Sequence, residues 1–259
     1  TTVRTARTLA SAAVALAASG CLTFIEVPVE TPIRPKIDAS PFARVYVAGF
    51  LPSGSEDVDT NLETVRLLRS QLKNKGGMRI IEADVLPLTD AAKPVPADGA
   101  PAAPAGAAQA EPGKSLTIGE AELPPYEKIF ENKDYWKKVG EEFGSPLIIT
   151  GSVLFTPHQR SGYVQKEQEV YDSFGRRSVV PVRTYMDRKG FILRPKFVFI
   201  DGRTGETLYT ETFREEILYN AEQSTPALSS YFELMDRLLP SFLSTLSSQT
   251  IRGSRVLLK

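Results

Sequence analysis

The chain has 259 residues, with 31 Lys plus Arg against 31 Asp plus Glu, one His and one Cys. Without residues 1–20, which hold Arg4 and Arg7, 29 basic residues face 31 acidic ones, a net of −2. That balance argues against a nucleic-acid binder, which carries a basic excess. One Cys rules out an intrachain disulfide, and the His and Cys counts rule out metal sites built on several of either.

Residues 1–20 read as a targeting segment. Arg4 and Arg7 form a short basic start, and Leu9 to Ala18 is an uncharged apolar run. The run is too short to span a bilayer, which takes about 20 apolar residues. A basic start, a short apolar core and small residues before a cut mark a secretory signal. The sequence Ala17-Ala18-Ser19-Gly20-Cys21 resembles the bacterial lipobox. That resemblance implies removal of residues 1–20 and diacylation of Cys21. Two acyl chains hold a protein on a membrane where one does not. Leu22 follows the cysteine where an inner-membrane retention signal has Asp. By similarity to the enterobacterial sorting rule, this implies the outer membrane, on its periplasmic face.

Residues 21–42 contain Pro28, Pro32, Pro35 and Pro41. Proline disfavours both helix and central strand, so this stretch is expected to be an extended tether, or a strap against a neighbouring subunit. A domain is expected over 43–251. Residues 43–50 form a first strand, apolar on both faces. Val58, Leu62, Val65, Leu68 and Leu72 follow at helical spacing, with Thr60 and Glu63 as a capping box and Gly76-Gly77 as the stop. Residues 78–83 read as a short second strand. Residues 87–115 are mostly Ala, Pro and Gly, with almost nothing to bury, and read as a disordered surface insertion. Gly113-Lys114-Ser115 lacks the earlier Gly that a phosphate loop needs, since Ala108 stands there.

Residues 125–143 carry a helical stripe of Tyr126, Ile129, Phe130, Trp136, Val139 and Phe143. Residues 146–155 (PLIITGSVLF) are the most buried-looking strand. Strands follow at 163–172 and 178–186 around Ser173-Phe174-Gly175. Two more, 191–200 and 206–213, flank Asp201-Gly202-Arg203-Thr204-Gly205, a strong hairpin signal. Pro226 opens a last helix with Thr225 as its cap, and Pro240 should kink it. The predicted order is β-α-β-α-β-β-β-β-β-α: an α/β (α+β) fold with a single mixed, largely antiparallel sheet packed by helices.

Leu147-Ile148-Ile149-Thr150-Gly151-Ser152-Val153 resembles a core strand of envelope lipoproteins related to the curli secretion channel. Phe197 to Asp201 with Thr204-Gly205-Glu206 is similar to their strand–turn–strand hairpin. The amino-terminal domain of the Tol-system periplasmic protein has a similar layout. The resemblance spans roughly 43–246 without the insertion. It implies a periplasmic domain that binds envelope proteins or assembles into rings, with no catalytic activity.

A membrane-barrel strand alternates apolar outward residues over nine to eleven positions. The segment 162–188 lacks that alternation along its first strand and reads instead as a soluble hairpin arm. Arg176 and Arg177 at its tip are the candidate partner contacts. His158 falls in an expected loop with no nucleophile elbow nearby. No catalytic residue, metal ligand or cofactor is assigned, and neither nucleic acid nor a small-molecule substrate is expected. The expected function is a non-catalytic outer-membrane lipoprotein supporting assembly or regulation of an envelope machine. The alternative is a ring-forming secretion or export component, self-associating through its domain.

Overall fold

The structure is a computed structural model, and it describes residues 24–75, 78–92, 117–223 and 225–258. The signal segment, Cys21 and most of the 87–115 insertion lie outside the described residues. Two units divide the chain. The larger spans Lys36–Ser247, and the smaller holds a two-stranded ribbon.

In the larger unit, strand β2 (Val45–Gly54) is followed by helix α1 (Thr60–Lys75). Short helices α2 (Leu88–Ala91) and α3 (Leu123–Glu127) and helix α4 (Lys133–Glu142) come next. Then come β3 (Leu147–Tyr171), β4 (Arg177–Asp201), β5 (Thr207–Thr212), β6 (Glu215–Asn220) and helix α5 (Ala227–Leu246). β2 pairs parallel with β3, and β3 antiparallel with β4. β5 and β6 both pair antiparallel with β4, along successive stretches of it. The sheet is mixed and largely antiparallel, as the patterning predicts.

Strands apolar on both faces need cover on both sides. Val45, Val47, Ile149, Val153, Phe197 and Phe199 face a core closed by Leu68 and Leu72 of α1 and by Tyr231, Leu234, Leu238 and Phe242 of α5. On the opposite face Tyr46, Leu51, Ile148, Val198 and Ile200 pack against Leu88, Ile129, Phe130 and Trp136. In the first core the Tyr231 hydroxyl meets the Thr64 hydroxyl at 2.6 Å, so both buried groups are satisfied. The β4–β5 hairpin turns through Gly205 at φ 73°, a conformation that favours glycine.

Five local expectations are corrected. The cap of α1 is Asp59, whose carboxylate accepts the Leu62 N–H at 3.0 Å, while Thr60 is the first helical residue and is buried. Residues 78–83 make a single bridge, Ile80 to Val45, rather than a strand. The 125–143 stripe is broken at Asn132, whose side chain accepts the Tyr135 N–H and starts α4 afresh. The insertion expected from 87 begins later, because Leu88 and Thr89 are buried in α2. Thr225 is not the cap of α5. Pro226 takes that position, and no side chain caps it.

The smaller unit corrects the tether. Phe24–Ile33 forms β1 and pairs antiparallel with β7 (Gln249–Leu258), from Phe24↔Leu258 to Ile33↔Gln249. Pro28 and Pro32 are tolerated because a two-stranded ribbon consists entirely of edge strands. No helix among the described residues is long and apolar enough to cross a membrane.

Candidate functional site: a hairpin arm and the cleft at its base

β3 and β4 are each 25 residues long and stay in register from Leu147↔Asp201 to Tyr171↔Arg177. Their inner ends are the centre of the sheet. The β2 partnership stops at Phe155, and β6 covers β4 only from Leu193 to Arg188. Beyond that, the eleven pairs from Ser161↔Asp187 to Tyr171↔Arg177 have no third strand among the described residues. At about 3.4 Å per residue the arm is roughly 35 Å long. The expected arm at 162–188 is therefore present, but as the outward run of the two core strands rather than as a separate hairpin.

Register sorts the arm's side chains into two faces. One carries Tyr163, Gln165, Glu167, Glu169 and Tyr171 beside Arg177, Val179, Pro181, Arg183 and Tyr185, all exposed. The other carries Val164, Lys166, Gln168 and Val170 beside Val180, Val182, Thr184 and Met186. On this second face Val164, Val182 and Met186 are half-buried by their neighbours. The first strand read alone looks polar on both sides. Pairing sets Val180, Val182 and Met186 of β4 beside Val164 and Val170 and makes this second face the more apolar one, while Val179 falls on the first face.

The tip is self-contained. Asp172 accepts the backbone N–H groups of Phe174 and Arg176, each at 2.9 Å, and the Arg176 Nε–H at 2.8 Å. Those bonds hold its carboxyl below the usual carboxylate range, with the Arg176 N–H the largest influence. Arg177 pairs with Glu169, and Phe174 stands 82% exposed with the Arg176 guanidinium 5.5 Å from its ring centre. The two candidate arginines therefore sit together at the tip, each already paired within the hairpin. Tyr163 and Tyr185 stack edge to face at the opposite end of the arm, with ring centres 5.4 Å apart.

At the arm's base lies a cleft of about 210 Å³ bordered by His158, Lys189, Phe191, Tyr219, Gln223 and Thr225. His158 is in β3 opposite Gly190, not in a loop, with Nε2 3.5 Å from a Glu216 carboxylate oxygen. The β-ladder carries on through Pro157 because β2 has already ended there. No nucleophilic side chain is aimed at this imidazole among the described hydrogen bonds.

A second polar group lies on the Trp136 side of the sheet. Glu127 accepts the Ser152 hydroxyl at 2.6 Å and pairs with Lys196 at 2.7 Å. Ser152 and Lys196 are register partners on β3 and β4, so the carboxylate ties α3 to the sheet. This contact was not foreseen, because its residues are 25 and 69 positions from Glu127. Among the described residues no cluster of three His, Cys, Asp or Glu side chains could hold a metal ion.

No protein-family model matches this chain, and no curated protein or solved structure does either.

Proposed function

We propose that this chain is a non-catalytic envelope lipoprotein, held on the outer membrane by lipid on Cys21, whose α/β domain presents the β3–β4 arm to a protein of an envelope machine. The observation that carries the reading is the arm. A two-stranded ribbon is at best marginally stable alone in water. This one projects eleven pairs from the centre of a buried sheet, with an apolar face and two open edges. An amphipathic ribbon on a rigid base suits a partner that covers the valine face or adds a strand to an edge. The lipobox-like sequence before Cys21 supports the address.

A photo-crosslinking residue in place of Val180, on the valine face, tests this in the native bacterium. The expected result is a discrete adduct from Val180 and none from Leu208, an exposed position on β5. Loss of the adduct in a Val182→Asp variant with unchanged unfolding midpoint would assign the contact to this face. Equal labelling from both positions would sink the proposal.

One observation favours the ring-forming alternative. Over Ser161–Asp172 one Lys faces three acidic residues, a net of −2, and over Arg176–Asp187 three Arg face one Asp, a net of +2. Opposite charge on the arm's two edges suits head-to-tail pairing between copies, which closes into rings. The size of the detergent-extracted protein separates the two readings, since a monomer excludes the ring.

A further inference from the structure

At the root of the arm, three strands put a row of polar side chains on one face of the sheet. Arg160 on β3 is the register partner of Arg188 on β4, and Arg188 is in turn the partner of Asn220, the last residue of β6. Directly opposite residues in an antiparallel ladder point to the same side, with Cα atoms about 5 Å apart. The two guanidinium groups therefore rise side by side. Like charges in that relation destabilise a sheet unless something neutralises them.

No carboxylate does so among the described residues. Glu167, Glu169 and Asp187, the acidic residues of the arm strands, all lie on the opposite face. On the arginines' own face β6 offers Glu216, nearer the core, and it is already engaged by His158 at 3.5 Å and Arg214 at 4.0 Å. Arg160 is exposed and makes no ion pair. Arg188 is half-buried, and its Nε–H is buried without an acceptor. A buried donor left unpaired costs the full loss of its hydration. The approach is open on the side of the tip, since a Cβ at Gly162 would meet nothing within 4 Å.

We infer that Arg160, Arg188 and Asn220 form a binding site for a phosphate monoester dianion. The two guanidinium groups bring paired N–H donors in planar forks, and Asn220 adds a carboxamide. A carboxylate has a single charge and two oxygens, enough for one fork. A phosphate monoester carries about −1.5 to −2 at neutral pH and three strong acceptor oxygens, so it balances both guanidinium groups at once. Free phosphate and a lipid headgroup ending in a phosphate monoester share this chemistry. The site depends on neither the anchor nor the protein partner proposed above.

The test is calorimetric titration of the full lipidated chain in a nonionic detergent, at low ionic strength and about pH 8, where phosphate is dianionic. Inorganic phosphate, acetate and dihexanoyl phosphatidic acid are the probes. The expected result is saturable phosphate binding at a single site, with acetate at least about tenfold weaker. Arg160→Ala and Arg188→Ala should each weaken phosphate roughly tenfold or more, as loss of charge-assisted hydrogen bonds requires. Arg183→Ala removes an exposed arginine from the opposite face and should leave binding unchanged. The unfolding midpoint in phosphate-free buffer should not fall in Arg188→Ala, because one of two repelling charges is gone. A variant lacking both arginines measures how far the lipid probe partitions into detergent. Above that baseline, tighter binding of the lipid probe than of phosphate assigns a headgroup, and equal binding assigns a soluble phosphate. Absence of saturable phosphate binding, acetate binding as tightly, or an equal loss in Arg183→Ala and Arg188→Ala overturns the site. So does phosphate binding that survives removal of both arginines.

Discussion

Asp201 shows how one residue links a turn to acid stability. It is buried at the end of β4, and it accepts the Arg203 backbone N–H at 2.8 Å and the Arg203 guanidinium at 3.1 and 2.9 Å. Burial opposes its charge most strongly, yet these bonds outweigh burial and hold its carboxyl below the usual value of 3.8. A lowered carboxyl contributes stability that is complete above the unfolded value and is lost as pH falls through the folded one. Asp201→Asn should therefore cost about 1 kcal/mol at neutral pH, a modest figure because Arg203 is half-exposed. Chemical denaturation over a pH series checks this. The gap between variant and parent should close below about pH 4, and a constant gap would contradict the account. This turn was legible in the sequence, since Asp-Gly-Arg-Thr-Gly between two apolar runs specifies a hairpin from its own chemistry.

Elements differed in how well the sequence announced them. α1 and α5 repeat apolar residues at helical spacing, and the core strands are continuous apolar runs, so local pattern is enough. The arm's continuity with the core strands was hidden because Thr156-Pro157-His158 and Ser161-Gly162 carry turn chemistry, while the ladder that overrides them comes from a strand some thirty residues on. Its amphipathic face was hidden for the same reason, since Val180 and Val182 matter only once placed beside Val164 and Val170. β7 offered Gly253 and Ser254 and no buried face, and its partner lies more than two hundred residues away. Pro240 is exposed inside α5, a helix that nevertheless runs unbroken from Ala227 to Leu246. Proline has no N–H for the Asp236 carbonyl and costs about 3 kcal/mol against Ala in a helix interior. Pro240→Ala should accordingly raise stability by about 1–3 kcal/mol, seen as a higher unfolding midpoint. A fall would mean that the ring makes a contact worth more than the lost bond.

At the scale of the molecule, the two units predict separable behaviour. The described residues of both cores all belong to the Lys36–Ser247 unit. A chain ending at Ser247 should keep the parent's unfolding midpoint, while amides of β1 lose their exchange protection as their ladder disappears. A large drop in the midpoint would show that the ribbon supports the core. In the full chain the β1 and β7 amides should exchange well before those of β3 between Leu147 and Phe155, which are buried between two layers of helices.

The continuity of β3 and β4 from buried core to open tip also has a mechanical meaning. A lever joined to its base by a loop yields at the joint. Here the same two backbones are beam and foundation, clamped at the root by β2, β5 and β6. Ladder bonds in an antiparallel pair lie perpendicular to the strands, so a pull on one strand toward the tip loads many of them in shear at once. A sideways push instead bends the ribbon about its root, where Gly190 packs its backbone against Ile217 and β6 begins. Whatever seizes the tip therefore holds a tow-bar that is stiff along its length and compliant across it, and its motion converges on the strands that form the centre of the fold.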